Sequence, residues 1–222
     1  MEYHLLEHIT FKPDSETFFA EMRLSADSPR HAACRRLLDE AATLARPRAI
    51  WLQADIKQLD GSGMTLGGQR FHSSLFSRQF QPGQTVYPFL ASCGPEIDAW
   101  QESYRGELLR QFWADAIAEK ALRTAVAALE DKITKLVENR YLASYNPGSL
   151  PVWPLEEQKP LFALFGKAAE EVGVQLTEYC MMRPQKSVSG IYFSSPAEYN
   201  NCQFCPRLRC PSRKAEFSGA CC

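Results

Sequence analysis

What the sequence lacks narrows its function first. Its charges nearly cancel, 25 Lys and Arg against 26 Asp and Glu for a formal net charge of −1. That balance leaves no basic footprint for nucleic acid or for an anionic membrane surface. No apolar run approaches the roughly 20 residues that span a bilayer. The opening stretch, MEYHLLEHITFKPDSE, carries acids and histidines where a secretion signal needs a basic and then an apolar segment. Internal repeats and low-complexity tracts are missing too. With 45% hydrophobic and 23% charged residues, the 222-residue chain has an ordinary globular composition and suffices for one core with an appendage. These absences lead to the expectation of a cytoplasmic protein, in which thiols stay reduced.

Against that expectation stand eight cysteines, five of which follow Asn201: Cys202, Cys205, Cys210, Cys221 and Cys222. In a reducing compartment, clustered cysteines point to metal or redox chemistry rather than to disulfides. Cys202-x2-Cys205 lets two thiolates converge on one metal, and Cys210 follows after four more residues. Pro206 and Pro211 each follow a cysteine, as a proline does in the bacterial ferredoxin run. Arg207, Arg209, Arg213 and Lys214 would offset the negative charge of thiolates and sulfides. The favoured expectation is a four-iron four-sulfur cluster. Adjacent Cys221 and Cys222 do not readily ligate one ion together, so one of them is expected to be spare. Cys93 and Cys180 stay open as alternative fourth ligands. A zinc site, or redox thiols without metal, are the other two readings.

The rest of the chain reads as mixed α/β (α+β). The pattern predicts a strand in HITFKP, a helix from Ser28 to Pro47, and strands with glycine-rich turns between Arg48 and Phe80. It predicts a buried strand in TVYPFLASCG and a helical centre from Pro95 to Tyr141. There Leu122, Val126, Leu129, Ile133 and Leu136 form one apolar stripe. A proline-rich loop, SYNPGSLPVWP, leads to a helix from Leu155 to Val172. VQLTEYCMM and SVSGIYFSS read as strands around Arg183-Pro184-Gln185. The domain division is 1–197 for the α/β body and 198–222 for the cysteine tail. Other motifs are weaker. HLLEH, His4 to His8, has the spacing of an inverted zinc-protease site but precedes a strand-like segment. Gly61-x-Gly63 lacks the third glycine and helix of a dinucleotide fingerprint. Asp60, Glu96 and Asp98 suit turns and caps, and His31 and His72 suggest no triad.

From Ser144 to Pro196 the chain resembles the activation domain of cobalamin-dependent methionine synthase. The features that carry this are NPGSLPVWP and its helix, the Leu-Thr-Glu segment, the proline turn, and Ser187-Val188-Ser189-Gly190 followed by Tyr192-Phe193. The resemblance implies a curved antiparallel sheet with long helices. It also implies a role in the reductive reactivation of a corrinoid methyltransferase, with S-adenosylmethionine as methyl donor. The positions it marks for cofactor contact are Pro147, Gly148, Trp153, Met181, Ser187, Ser189, Gly190 and Tyr192, with Trp153 and Tyr192 as candidate lids on the corrinoid. Ser144 stands where the family carries arginine, and Arg123 where its long helix carries glutamate, so weak S-adenosylmethionine binding is expected. Together these readings describe a stand-alone reactivation factor whose tail relays an electron to cob(II)alamin. The alternatives are a non-catalytic docking factor with a structural zinc tail and an S-adenosylmethionine-dependent reactivase.

Overall fold

The computed structural model describes residues 2–137, 141–196, 199, 201–203, 207, 209, 213 and 215–217. Eleven strands and seven α-helices follow one another among these residues. The strands are β1 (Tyr3–Leu6), β2 (Arg48–Leu52), β3 (Ala54–Asp55), β4 (Gln58–Asp60), β5 (Gly63–Leu66), β6 (Gln69–His72), β7 (Thr85–Ser92), β8 (Tyr141–Tyr145), β9 (Gln175–Leu176), β10 (Met182–Arg183) and β11 (Ser187–Ser195). The helices are α1 (Ser15–Glu21), α2 (Pro29–Leu44), α3 (Phe76–Gln79), α4 (Pro95–Glu102), α5 (Leu108–Thr134), α6 (Gln158–Phe165) and α7 (Ala168–Glu171).

The main sheet is antiparallel throughout, in the order β1-β2-β7-β11-β8, with β3 also on β7. Alternation along its strands builds two cores. Ala49, Trp51, Tyr87, Phe89, Ala91 and Tyr192 face a helical layer that includes α2, α4 and α5. Ile50, Leu52, Val86, Leu90, Ile191 and Phe193 face the opposite side, which includes the β4-β5-β6 sheet and α6. On α5 the buried positions Trp113, Ile117, Ala121, Ala125, Leu129 and Ile133 recur every four residues. Four small buried alanines (Ala114, Ala118, Ala121 and Ala125) and the larger side chains between them let the helix lie close to the sheet.

The signals at the helix starts are local. Ser28 Oγ accepts the Arg30 N–H, and Pro29 fills the first position of α2, where its missing N–H costs nothing. Gly94 takes φ 94° ahead of Pro95, turning the chain from β7 into α4.

Several sequence expectations shift. HITFKP is not a strand: β1 ends at Leu6, and Asp14 caps α1 after Pro13, accepting the Glu16 and Thr17 N–H groups. HLLEH therefore lies on a strand and the segment after it, with the His4 ring stacked on Trp51 at 4.8 Å. Of the predicted α5 stripe, Leu122, Leu129 and Ile133 are buried and Val126 packs partly buried against the same core, while Leu136 is exposed beyond the helix end. The end of the predicted helical centre, at Tyr141, instead begins β8. Gly166 at φ 53° divides the helix expected from Leu155 to Val172 into α6 and α7, and the first three residues of that stretch form a 3-10 turn. VQLTEYCMM is not one strand either, because Cys180 at φ 59° sits in a turn between β9 and β10.

Gly190 on β11 faces a site with no room for a side chain. A Cβ there would collide with the Tyr145 carbonyl oxygen, the Asn146 side-chain amide and the Phe89 ring. Overpacking of this kind costs about 1–3 kcal/mol or more. For Gly190→Ala, thermal unfolding should therefore show a melting point lower by about 2–12 °C, given about 2–4 °C per kcal/mol for a domain of this size. An unchanged melting point would mean β11 is not packed as described.

Candidate functional site

A groove of about 440 Å³ opens between α5 and the β8–β11 side of the sheet. One wall is a single face of α5, with Glu119, Arg123, Val126 and Glu130. The spacings of four, three and four residues bring these side chains into line along the helix. Opposite them lie Leu142 and Ser144 of β8, and Ser187, Val188 and Tyr192 of β11. Asn146 and Ser149, from the loop after β8, border the groove, as do Tyr199 and Cys202.

The groove's charges are organised. Arg123 Nε donates to Glu119 Oε1 at 2.9 Å, and the Arg123 Nη2 lies 2.8 Å from the same oxygen. The Tyr192 hydroxyl donates to Glu130 Oε1 at 3.1 Å. Burial pushes the Tyr192 phenol well above its ordinary range, and the Glu130 carboxylate adds to the shift. Tyr192 thus stays protonated and acts as a fixed donor. Its ring stacks on Phe89 with centroids 4.2 Å apart, giving the groove an aromatic floor beside its charged wall.

The loop after β8 is held from several directions. Gly148, at φ 81°, donates its N–H to the Trp153 carbonyl at 2.8 Å. Asn146 Nδ2 donates to the Ser189 carbonyl at 2.8 Å. Ser73 Oγ donates to the Val152 carbonyl at 2.7 Å, and the buried Glu157 carboxylate accepts the His72 backbone N–H at 2.8 Å. The small β4–β6 sheet thus clamps the loop that shapes one end of the groove.

Of the positions marked by the resemblance, the groove takes in Ser187 and Tyr192. Pro147 and Gly148 lie in the loop between the groove residues Asn146 and Ser149. Gly190 provides the close approach already described. Ser189 turns to the other face of β11, with its hydroxyl 3.4 Å from Gln158 Oε1. Trp153 does not serve as an exposed lid: only 1% of its surface is accessible, and it packs edge-on against Phe76 in the core across the sheet. Met181 is exposed and does not line the groove. Ser144 and Arg123, marked as departures from the family, both line it. Asn146 opens the NPGSLPVWP loop that carries the resemblance, whereas Glu119 and Glu130 were not expected there. The helical spacing of Glu119, Arg123 and Glu130 was a readable signal, but β8 and the facing wall it supplies were not.

Cys202 is half-buried and borders the groove. Cys205, Cys210, Cys221 and Cys222 lie outside the described residues. Among the described residues, no group of three or more His, Cys, Asp or Glu side chains is placed to hold a metal ion. Cys93 and Cys180 are both buried in the folded body. No helix among the described residues is long and apolar enough to cross a membrane.

The class this geometry defines is a two-core α/β domain that presents a polar, aromatic-floored groove between a long helix and an antiparallel sheet. The comparisons then name the family. Residues 99–205 match the family model described as vitamin B12 dependent methionine synthase, activation domain. That segment, just under half of the chain, is similar to the activation domain of this family, and it contains α5, β8, the clamped loop and β11. A crystal structure of the MetH reactivation domain bound to AdoHcy superposes with a TM-score of 0.62 at 18% identity, covering 90% of this chain and 81% of that one. It shares the fold. No curated protein matches the chain in sequence.

Burial pushes the Cys34 thiol up to about 11 and the Cys93 thiol up to about 12. Both should therefore resist alkylation by iodoacetamide at pH 8 in the native protein and react fully after unfolding. Peptide mapping by mass spectrometry checks this, and rapid native labelling of Cys93 would contradict its place in the core.

Proposed function

We propose that this protein reactivates a corrinoid-dependent methyltransferase of the methionine synthase type, with its groove face docking over the partner's corrinoid. The observation that carries this reading is one of coincidence. The segment matching the activation-domain family is the segment that builds the groove, and the first cysteine of the tail borders the same groove.

The tail supplies the redox half of the proposal. Thiolates from Cys202, Cys205, Cys210 and either Cys221 or Cys222 are a donor set suited to a four-iron four-sulfur cluster, which would supply one-electron chemistry beside the groove. The placement of Cys202 fits this, and the other four cysteines follow within the same short tail. Held by these thiolates and reduced by a low-potential one-electron donor, such a cluster would take a flavoprotein's place as the local source of the electron that converts the partner's cob(II) to cob(I). The chain's own residues set the encounter: Arg207, Arg209, Arg213 and Lys214 draw an acidic partner surface towards the tail, an attraction that salt screens.

A second reading is favoured by the groove's chemistry. S-adenosylmethionine is zwitterionic and carries a sulfonium, and the groove offers the Glu119 and Glu130 carboxylates, Arg123 and an aromatic floor. The fold neighbour was crystallised with AdoHcy. Ser144 nevertheless offers no guanidinium, and Arg123 is already engaged by Glu119. Losing two charge-assisted contacts weakens binding by about a hundredfold or more. Calorimetric titration should therefore find weak binding of S-adenosylmethionine, and low-micromolar affinity would favour the second reading.

The decisive reaction is anaerobic reduction of a cob(II) methyltransferase partner, followed spectroscopically with and without this protein. Conversion to cob(I) should accelerate, more so at low ionic strength. The Cys202→Ser, Cys205→Ser double variant should lose the acceleration. Equal acceleration by that variant would show that the tail is not the electron path.

A further inference from the structure

Helix α5 begins before its core contacts do. Its opening residues, LLRQFW from Leu108 to Trp113, set apolar side chains in adjacent pairs one helical turn apart, the repeat of a face meant to be covered. Of these four, Trp113 alone is buried. Leu108 is 84% exposed, Phe112 58% and Leu109 43%. A contiguous cluster of large apolar side chains held in water by a helix marks a contact surface, where single exposed residues would not.

Beside these projections lies a depression of about 480 Å³, where the start of α5 meets the start of α2. Pro29, Ala33, Leu109 and Trp113 give it an apolar lining, and Arg30, Glu107 and Arg110 supply its charges. Glu107 and Arg110 pair at 3.0 Å, and Glu102 and Arg105, just ahead of the helix, pair at 2.6 Å. All five charged residues are exposed. The depression shares no residue with the groove between α5 and the sheet. From Leu108 to Glu119, where the groove begins on α5, the distance along the helix is about 16 Å.

Projection and depression therefore sit side by side on one patch, and that patch carries both signs of charge. An isologous contact has this composition, because a two-fold axis sets each projection against the partner's depression and each charge against its opposite. A patch of one sign would repel its own copy. We propose that the starts of α2 and α5 form a homodimer interface, with Leu108 and Phe112 of each chain packed onto the depression formed by Pro29, Ala33 and Trp113 of the other. The anchors are few, so the dimer dissociates with a Kd of about 10 µM. The groove lies outside the patch, and dimerisation is independent of what the groove binds.

Sedimentation velocity of the full chain tests this, with a thiol reductant present so that cysteines cannot link chains. Between about 1 and 100 µM the average mass should rise from one chain towards two. Leu108→Asp and Phe112→Asp change exposed positions and should keep the circular dichroism of the wild type, yet weaken the dimer about thirtyfold or more. Glu107→Arg makes the patch more positive and Arg110→Glu makes it more negative. Each should associate poorly alone, and an equimolar mixture at low salt should associate at least as well as the wild type. A wild type that stays monomeric at the highest concentration would overturn the proposal, as would a dimer that both aspartate variants retain. A mixture that associates no better than its components would refute the two-fold pairing. A monomeric wild type that binds a cob(II) methyltransferase, with that binding lost in Phe112→Asp, would overturn the homodimer and assign the patch to that partner instead.

Discussion

The structure depends on the close approach around β11. This strand pairs with β7 from Ser187 to Phe193 and with β8 from Ile191 to Ser195, so it ties the first half of the sheet to the strand that follows the long helix. The approach is closest at Gly190, where the absent side chain admits the Tyr145 carbonyl, the Asn146 amide and the Phe89 ring. Phe89 in turn stacks on Tyr192, whose hydroxyl reaches Glu130 on α5. The groove wall, its floor and its bordering loop thus take their positions from one crowded stretch of strand.

The two sides of the sheet divide the labour. On one side, the β4–β6 sheet and α6 fix the loop after β8 through Ser73, Glu157 and the buried Trp153, giving stiffness without contributing to the groove. On the other, α5 lies against the sheet through small residues and turns its charged residues to the groove edge. The cysteines follow the same division. Cys34 and Cys93 are sealed in the helical core with raised thiol pKa values, while Cys202 stands at the groove. Among the described cysteines, Cys202 alone is not buried.

Much of this was legible in the sequence where local signals were strong. Ser28-Pro29 and Pro47 bracket α2, and the β-rich run from Thr85 to Ser92 is the central strand that it promised to be. The misreadings have local causes as well. Tyr141 to Tyr145 followed a long helical pattern, and its pairing with β11 is a long-range contact that no local window contains. Gly166 and Cys180 take left-handed conformations that broke one expected helix and one expected strand. At the site, Tyr192 and Ser187 were found by resemblance, and Glu119 and Glu130 could have been found from their spacing with Arg123. Trp153 in a proline-rich loop looked like a surface lid, but its burial comes from Phe76, some 77 positions away, packing edge-on against it. Periodicity gives no warning of such a partner.

The central claim is that an activation-domain groove and a cysteine tail act together on a corrinoid partner, the tail through iron and sulfide. Metal and labile-sulfide analysis of the protein purified without air tests this most directly. The account predicts about four iron atoms and a matching amount of labile sulfide per chain, in a brown protein. Stoichiometric zinc without labile sulfide, in a colourless protein, would contradict it.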